Sequence, residues 1–175
     1  LRSGPLPIFA SPETMAVLHR VFQYAFNGDP IPKGYFRPDP RLIDGPFSLG
    51  DLDIVPLPLP HGRVTTLGYL FLQAGRRRLA YLPDCKCIPE SVRSLVRGVE
   101  IALIDALRFK PHPTHMCLRE ALEAANDIAA ERTFFTHLTD DFDHDIAQAN
   151  LPRGIELAYD GLKLATAHSD RPPPL

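Results

Sequence analysis

The stretch that decides the fold is IALIDALRFKPHPTHMCLREALEAANDIAAERTFFTH, residues 101–137. An apolar run, Ile101–Ile104, ends at Asp105, and a second run, Thr133–Thr136, ends at His137. A short apolar run bounded by polar residues is typical of a buried strand. The residues between the two runs repeat their apolar side chains at helical spacing. The stretch therefore predicts a βαβ unit in a parallel sheet.

Polar residues stand where these predicted strands end. Asp105 and His137 close the two runs, and His115 lies in the loop that leads into the helix. Ligands of open α/β sheets bind outside the carboxyl ends of the strands. The three residues therefore predict one edge of a functional site.

Composition is ordinary for a globular protein and argues against nucleic acid and membranes as partners. The 175 residues are 45% hydrophobic and 23% charged, and the formal net charge is -2. This charge gives no basic field for nucleic acid, and the cluster Arg76–Arg78 fits a solvated hairpin tip. No apolar run is long enough to span a membrane, and no signal peptide is visible.

The cysteines indicate a reducing compartment. Cys85, Cys87 and Cys117 make an odd set without the spacing of a disulfide framework, which favours a cytoplasmic protein. The pair Cys85 and Cys87 also raises the possibility of a zinc site, because thiolates bind zinc well. No second cysteine pair completes a tetrahedral set, so structural or incidental thiols are the preferred interpretation.

The remaining segments predict a mixed α/β domain. Prolines at 56, 58 and 60 lack backbone donors, so the extended segment that holds them fits a sheet edge or a strand end. We expect one domain over residues 1–167 and a proline-rich tail over 168–175. The predicted elements are a helix from a Ser11 cap to about Phe26, a surface loop over Pro30–Asp44, an extended segment over Leu52–Leu59, a hairpin of Thr66–Ala74 and Arg78–Leu82, a helix over Pro89–Arg97, and a closing hairpin of Ile155–Tyr159 and Leu162–Ala165.

A second set of polar residues follows apolar, strand-like runs directly. These are His61, Asp84 and His137. Imidazole and carboxylate together suit zinc, manganese or iron(II), and a carboxylate can bridge two cations. A single histidine at a strand end is more often structural, so the hypothesis of a metal site depends on the three residues together.

Five motifs surround these residues. They are His61-Gly62, Ala80-Tyr81-Leu82-Pro83-Asp84, Asp105-Ala106-Leu107-Arg108, Pro111-His112-Pro113-Thr114-His115 and Thr136-His137-Leu138. Together they resemble the metallo-β-lactamase fold. Within that fold the chain is most similar to the cyclic phosphodiesterase branch, which includes the phosphoribosyl 1,2-cyclic phosphate phosphodiesterase of phosphonate breakdown. The resemblance covers residues 5–164 and implies an αββα sandwich.

The resemblance implies a role for each motif residue. His61 would bind a first metal ion, Asp84 would bridge two metal ions, and His137 would bind the second. His115 would donate a proton to the leaving oxygen or contact phosphate, since imidazole suits proton transfer near neutral pH. The implied supporting residues are His112, Arg108, Asp105 and His144.

These supporting roles leave alternatives open. His112 would contact the substrate or only stabilise its loop. Asp105 and Arg108 would form a buried pair that shapes the loop, and His144 would support the site or begin a helix.

The family's main metal motif, His-x-His-x-Asp-His, does not occur in this sequence. We therefore expect a fold that is incomplete at its N-terminus. It would offer three ligands, where a site for two Mn²⁺ or Zn²⁺ ions needs about seven.

Three functions follow as hypotheses. The first is hydrolysis of small cyclic or diester phosphates by attack of metal-bound hydroxide. The second is a non-catalytic remnant that acts as a binding module, and the third is RNA processing, against which the charge argues. An exposed sheet edge would also favour a homodimer.

Overall fold

A computed structural model describes residues 4–28 and 36–166 of the chain. The chain divides into two compact units, Leu1–Phe47 and Ser48–Leu175. The predicted tail, 168–175, lies outside the described residues, and the assignment of 1–167 to one domain stays a prediction.

The first unit contains two parallel strands and two helices. Ser11 caps the first helix as predicted, since its hydroxyl oxygen accepts a hydrogen bond from the Thr14 amide. The predicted helix to about Phe26 is broken at Phe22, where a second short helix begins. The elements are β1 (Leu6–Ala10), α1 (Pro12–Val21), α2 (Gln23–Phe26) and β2 (Pro38–Leu42).

Strand β2 corrects the prediction of a loop over Pro30–Asp44, of which residues 30–35 lie outside the described part. Pro38 and Pro40 made this segment look irregular. Where this segment pairs with β1, the Arg37 carbonyl oxygen accepts a hydrogen bond from the Leu6 amide, and the Ile43 amide donates to the Ala10 carbonyl oxygen. The donors of β2 are therefore its odd-numbered residues, so neither proline interrupts the pairing.

The second unit is built on a seven-stranded sheet in the order β3-β4-β5-β6-β7-β8-β9. Its β4-β5-β6 part is antiparallel and its β6-β7-β8-β9 part is parallel. The fold class is mixed α/β with a large sheet, as predicted. The elements are β3 (Phe47–Leu49), β4 (Leu52–His61), β5 (Val64–Gln73), β6 (Arg76–Leu82), α3 (Glu90–Val96), β7 (Ile101–Asp105), α4 (Leu118–Ile128), β8 (Arg132–Thr136), α5 (His144–Ala149) and β9 (Ile155–Leu157).

Turn residues and prolines explain the arrangement of the antiparallel strands. Ala74 and Gly75 both have positive φ, 50° and 74°, which matches the left-handed turn that a tight hairpin requires. The predicted hairpin of β5 and β6 is confirmed. On its other side β4 pairs with the three-residue β3, so within the described part of the chain its proline-rich half has no second strand beside it.

The parallel part confirms the βαβ prediction. Strand β7 pairs with β8 from Ile101 with Arg132 to Asp105 with Thr136. Phe134 and Phe135 of β8 are fully buried, which explains the continuous apolar run in the sequence. Because β6, β7 and β8 are parallel, their carboxyl ends meet at one edge of the sheet.

The C-terminal hairpin was predicted wrongly. Strand β9 is present, but it pairs in parallel with β8, and residues 158–166 contain no strand. Gly161 does form the expected turn, with φ of 89°. The backbone partners of β9 come from β8 instead of from a returning strand, as in the bond from the Ala158 amide to Phe135.

Among the described residues, no helix combines the length and the apolar character that a bilayer crossing requires.

Gly68 of β5 tests the packing of the antiparallel part. A Cβ there would lie 2.7 Å from the Tyr81 carbonyl oxygen and 2.9 Å from Leu59 Cδ1. We expect Gly68→Ala to lower the free energy of unfolding by about 1–3 kcal/mol through overpacking. Urea denaturation measures the change. Gly45→Ala is the matched control, because a Cβ at Gly45 meets nothing within 4 Å. Equal free energies of unfolding for the two variants would contradict the close packing described around Gly68.

Candidate metal centre

The candidate centre lies where strands of the second unit end. His61 is the last residue of β4, Asp84 follows β6, and Asp105 is the last residue of β7. His137 follows β8, and His115 lies in the loop between β7 and α4. Topology therefore brings together residues that are up to 76 positions apart in the sequence.

Three of these residues converge closely enough to share a cation. One ligand atom from each of His61, Asp84 and His115 lies within 4.8 Å of the others. The Nε2 atoms of His61 and His115 are 3.1 Å apart. Two imidazole nitrogens on a tetrahedral zinc ion would be about 3.3 Å apart, because each Zn–N bond is about 2.0–2.1 Å. The spacing and the donor types both fit a divalent cation of the zinc or manganese kind.

His137 borders the same cluster. Its Nε2 lies 3.1 Å from Asp84 Oδ1. Its ring stacks on the ring of His115, with centroids 4.8 Å apart and planes inclined by 21°. Of the predicted ligands, Asp84 therefore contacts His137, while the group whose ligand atoms converge holds His61 and Asp84 together with His115. The ligand roles themselves remain predictions.

Two residues of the centre have left-handed backbones. Asp84 has φ of 49° and His137 has φ of 65°. Such conformations are uncommon outside glycine and cluster at functional sites. The Thr66 hydroxyl donates to the Asp84 carbonyl oxygen at 2.8 Å, which helps to hold the turn after β6. These turns aim a carboxylate and an imidazole at the same point.

A buried carboxylate orients His115. Asp105 is fully buried, and its Oδ2 lies 2.8 Å from His115 Nδ1. The Cys85 amide donates to the same oxygen at 2.9 Å. Burial raises the pKa of Asp105, and the hydrogen bonds from His115 and Cys85 offset part of the shift. In its ionised form Asp105 can only accept, so it places the ring proton on Nδ1 and leaves Nε2 for the site.

The structure corrects the predicted pair of Asp105 and Arg108. Asp105 contacts His115 and Cys85, as described above. Arg108 instead donates to the carbonyl oxygens of Lys110 and Pro111, at 3.2 and 2.8 Å. The guanidinium therefore does shape the loop, as predicted, but it does so through backbone carbonyl oxygens and not through Asp105.

His112 is held by its own loop. Its Nδ1 lies 3.4 Å from the Thr114 amide and 3.2 Å from the Thr114 hydroxyl. An amide can only donate, so Nδ1 accepts and the ring proton of neutral His112 is on Nε2. The pKa of His112 is lowered, by desolvation first and then by the charges of Arg108, His115 and Lys86. Its ring centroid is 5.0 Å from that of His115.

His144 lies on a different element from the cluster. It is the first residue of α5, and Asp143 caps that helix through a hydrogen bond from the Ile146 amide. The described contacts of His144 are with Asp145, at 3.9 Å, and with the ring of Tyr159. His144 thus stands at the start of a helix, and its supporting role at the site stays a prediction.

The cysteines do not form a metal set of their own. All three are free thiols; Cys85 and Cys117 are buried and Cys87 is exposed. Burial raises the pKa of Cys85, and the nearby Asp105 adds to the shift. An uncharged, buried thiol is a poor ligand and a poor nucleophile. This agrees with the preferred interpretation of structural or incidental thiols.

The sequence did not reveal the polar contacts made by the backbone and by Lys86. The Cys85 amide and the Lys86 side chain both bind the segment that carries His115. Their only sequence signal is position, directly after Asp84. Backbone donors leave no signature in residue type, and a lysine beside a site is indistinguishable from a solvated one.

The chain is similar to known proteins over most of its length. The family model of the beta-lactamase superfamily domain matches residues 1–138. The crystal structure of a new diphosphatase from the PhnP family is 34% identical, has a TM-score of 0.81, and is matched over 93% of this chain and 59% of that one. An octanoyltransferase of Porphyromonas gingivalis is 27% identical over 90% of this chain, but over only 32% of its own length.

Two more distant structures show the fold alone. Zn²⁺-bound PqqB from Methylobacterium extorquens is 19% identical with a TM-score of 0.70, and covers 92% of this chain and 65% of its own. The short form of human tRNase Z is 16% identical with a TM-score of 0.64, and covers 92% of this chain and 68% of its own. The chain spans less than two thirds of the diphosphatase and about one third of the octanoyltransferase.

Replacing Asp84 tests the centre directly. Asp84→Asn keeps a residue that tolerates the left-handed backbone but removes the charged ligand oxygen. We expect the affinity for Zn²⁺ or Mn²⁺ to fall by more than about 100-fold, since loss of an outer-shell partner alone costs about 10–100-fold. Isothermal titration calorimetry measures the affinity. His144→Ala should bind the metal as the unmodified chain does, and unchanged binding by Asp84→Asn would exclude this centre.

Proposed function

The chain belongs to the beta-lactamase superfamily, and from this premise we propose that it is a metal-dependent hydrolase of small cyclic or diester phosphates. The observation that carries the proposal is a cluster of four side chains: His61, Asp84 and His115 place ligand atoms within 4.8 Å of one another, and His137 Nε2 lies 3.1 Å from Asp84 Oδ1. His115 is the member that is backed by a buried carboxylate. A cation-binding set beside an oriented imidazole is what phosphate ester hydrolysis needs.

The proposed metal ligands are His61, Asp84 and His137. A divalent cation bound there, Mn²⁺ or Zn²⁺, would supply Lewis-acid and water-activating chemistry. Asp84 has two carboxylate oxygens, which is the property that lets one side chain serve two cations. His61 and His137 are neutral nitrogen donors that suit the same ions.

His115 is the proposed proton donor to the leaving oxygen. It would carry protons on both ring nitrogens, with Nδ1 bound to Asp105 and Nε2 directed at the substrate. Asp105 keeps the ring in one orientation and stabilises its charged form, as a buried acidic partner does for other catalytic histidines. When Nε2 releases its proton, the bond of the leaving oxygen to phosphorus breaks without formation of an unprotonated alkoxide.

His112 is the proposed contact to the substrate phosphate. Thr114 occupies Nδ1, so the Nε2–H of His112 is available as a donor. The positive charges of Arg108 and Lys86 around this ring also favour an anionic ligand.

The comparison with the diphosphatase supports phosphorus chemistry. At 34% identity over 93% of this chain it shares both fold and much of the sequence. The octanoyltransferase match is confined to about a third of that protein, so its named activity does not need to reside in the similar part. The substrate of this chain is therefore proposed from the site and from the diphosphatase.

A binding module without catalysis is the second candidate. The described residues bring together one compact set of potential ligands, His61, Asp84 and His115, with His137 beside it. A site for two cations needs about seven ligands, so this set alone fits one cation. Under this alternative the chain would bind a phosphate ester, or a partner, without turnover.

His115→Gln separates proton donation from binding. We expect the variant to lower kcat by about 10²–10⁴-fold on an alkyl phosphodiester, because an alkoxide leaves poorly without a proton. The loss should be much smaller on bis(4-nitrophenyl) phosphate, whose leaving group needs no proton. Steady-state kinetics with both substrates, in the presence of added Mn²⁺ or Zn²⁺, give the comparison.

The matched control for this variant is His144→Gln, which alters a histidine on α5. It should leave both rates unchanged. Equal losses on the two substrates would remove the proton-donor role from His115. An unmodified, metal-loaded chain that binds but does not hydrolyse either diester would favour the binding module.

His112→Ala tests the phosphate contact. A hydrogen bond to a charged group contributes about 1.5–3 kcal/mol, so we expect KM to rise by about 10-fold or more. The effect on kcat should be small, since the proton donor is intact. Steady-state kinetics measure both constants. An unchanged KM would leave His112 with only a loop-stabilising role.

A further inference from the structure

Three consecutive residues, Asp84, Cys85 and Lys86, lie beside His115. Cys85 and Lys86 bond to the peptide group that follows His115, and Asp84 places a carboxylate oxygen within 4.8 Å of its ring nitrogen. We propose that Lys86 is a positioning residue, which fixes His115 relative to Asp84 so that proton donor and metal ligand act on the same substrate. The inference rests on the proposed function, because it assigns Lys86 a task in that same site.

The peptide group between His115 and Met116 is held on both sides. The Lys86 Nζ donates to the His115 carbonyl oxygen at 3.3 Å. The Met116 amide donates to the Cys85 carbonyl oxygen at 2.9 Å. The orientation of this peptide plane sets the direction in which the His115 Cα–Cβ bond points. Two neighbouring residues therefore control the direction of the imidazole.

The ring of His115 is held from the same place. The Cys85 amide donates to Asp105 Oδ2, and that oxygen contacts His115 Nδ1. The backbone of His115 is thus tied to Lys86 and Cys85, and its ring is tied to Cys85 through Asp105. Since Asp84 precedes these two residues, any shift of the turn after β6 moves both catalytic groups together.

Lys86 itself has little freedom. Its Nζ lies 2.8 and 2.9 Å from the two carboxylate oxygens of Glu120, which with the His115 carbonyl gives acceptors for its three donors. Its backbone amide donates to the carbonyl of Pro60 at 2.8 Å, next to His61. The lysine therefore connects the strand end that carries His61 with the loop that carries His115.

Glu120 is in turn fixed by the start of α4. Its Oε2 accepts a hydrogen bond from the Cys117 amide at 2.9 Å. Burial tends to raise the pKa of Glu120, but the hydrogen bonds from Lys86 and Cys117 outweigh it, and the net pKa is lowered. The carboxylate is therefore charged at neutral pH and keeps Lys86 in position.

The exposure of this ion pair argues for positioning rather than stability. The side chains of Lys86 and Glu120 are 31% and 25% exposed. Ion pairs open to water contribute little to the stability of a fold. The contact of Nζ with the His115 carbonyl is the feature that distinguishes Lys86 from an ordinary surface lysine. Its removal should change the geometry of the site more than the melting temperature.

The test compares Lys86→Met with a matched control, Arg93→Met. Arg93 is also 31% exposed and also pairs with α4, through Asp127 at 2.6 Å, but its described contacts do not include the His115 segment. Methionine keeps the apolar stem in each case. Lys86→Arg is the conservative variant that retains donors for Glu120 and for the carbonyl.

Two readouts are needed. The first is kcat and KM of the metal-loaded chain on an alkyl phosphodiester. We expect Lys86→Met to lower kcat by about 10–100-fold, since small misplacement of a reacting group has effects of this size. KM should rise by a smaller factor, because the variant also removes one positive charge near the substrate phosphate. The second is the ¹H–¹⁵N correlation spectrum of the histidine rings in the metal-free chain. The Nδ1 resonance of His115 should shift or broaden in Lys86→Met.

The spectra test the positioning role of Lys86 independently of whether the chain hydrolyses phosphodiesters. Support requires a changed His115 resonance in Lys86→Met, its partial restoration in Lys86→Arg, and no change in Arg93→Met. An unchanged His115 resonance in Lys86→Met, or an equal change in Arg93→Met, would overturn it. If the unmodified chain hydrolyses no phosphodiester, the proposed function fails, and the spectra still decide whether Lys86 positions His115.

Discussion

The buried carboxylate of Asp105 is the constraint on which the candidate centre depends. A carboxylate at the end of a central strand, without exposure to water, must be compensated by hydrogen bonds or it destabilises the fold. The compensation comes from the Cys85 amide and from the ring of His115. Both bonds end on Oδ2, while the buried Oδ1 has no hydrogen-bond partner among the described residues. The bonds that compensate Oδ2 fix the turn after β6 and the loop before α4.

The sheet provides the rigidity that this arrangement needs. Leu82, Ile104 and Phe135, near the ends of β6, β7 and β8, are fully buried, so the strand ends cannot move independently. The left-handed backbones of Asp84 and His137 follow directly on those strands. Close packing extends to the loops, because a Cβ at Gly62 would lie 2.6 Å from Thr114 Cγ2. Strain at the site is thus supported by the core beneath it.

The parts that sequence could predict are those set by a repeating pattern. Apolar periodicity and turn residues predicted the buried strands, α4 and the hairpin of β5 and β6. The positions directly after the predicted strands identified His61, Asp84 and His137 as candidate site residues. The partner of Asp105 could not be predicted, since Arg108 and His115 are both within ten positions and only the path of the loop selects between them. Strand β2 was missed because the side on which a proline faces is invisible without a partner strand.

His115 occupies a position that two roles compete for. Its Nε2 can share a cation with His61, at 3.1 Å, or it can carry the proton for a leaving oxygen, but one nitrogen cannot do both. Asp105 supports either role, because a carboxylate behind an imidazole orients metal ligands as well as acids. The geometry matches the first role directly, because His61, Asp84 and His115 place their ligand atoms within 4.8 Å of one another. The second role requires that His137, whose Nε2 is 3.1 Å from Asp84 Oδ1, take the place of His115 as a ligand. The stacking of His137 on His115 places the two imidazoles side by side at this cluster, so either ring would lie next to a cation bound by the other.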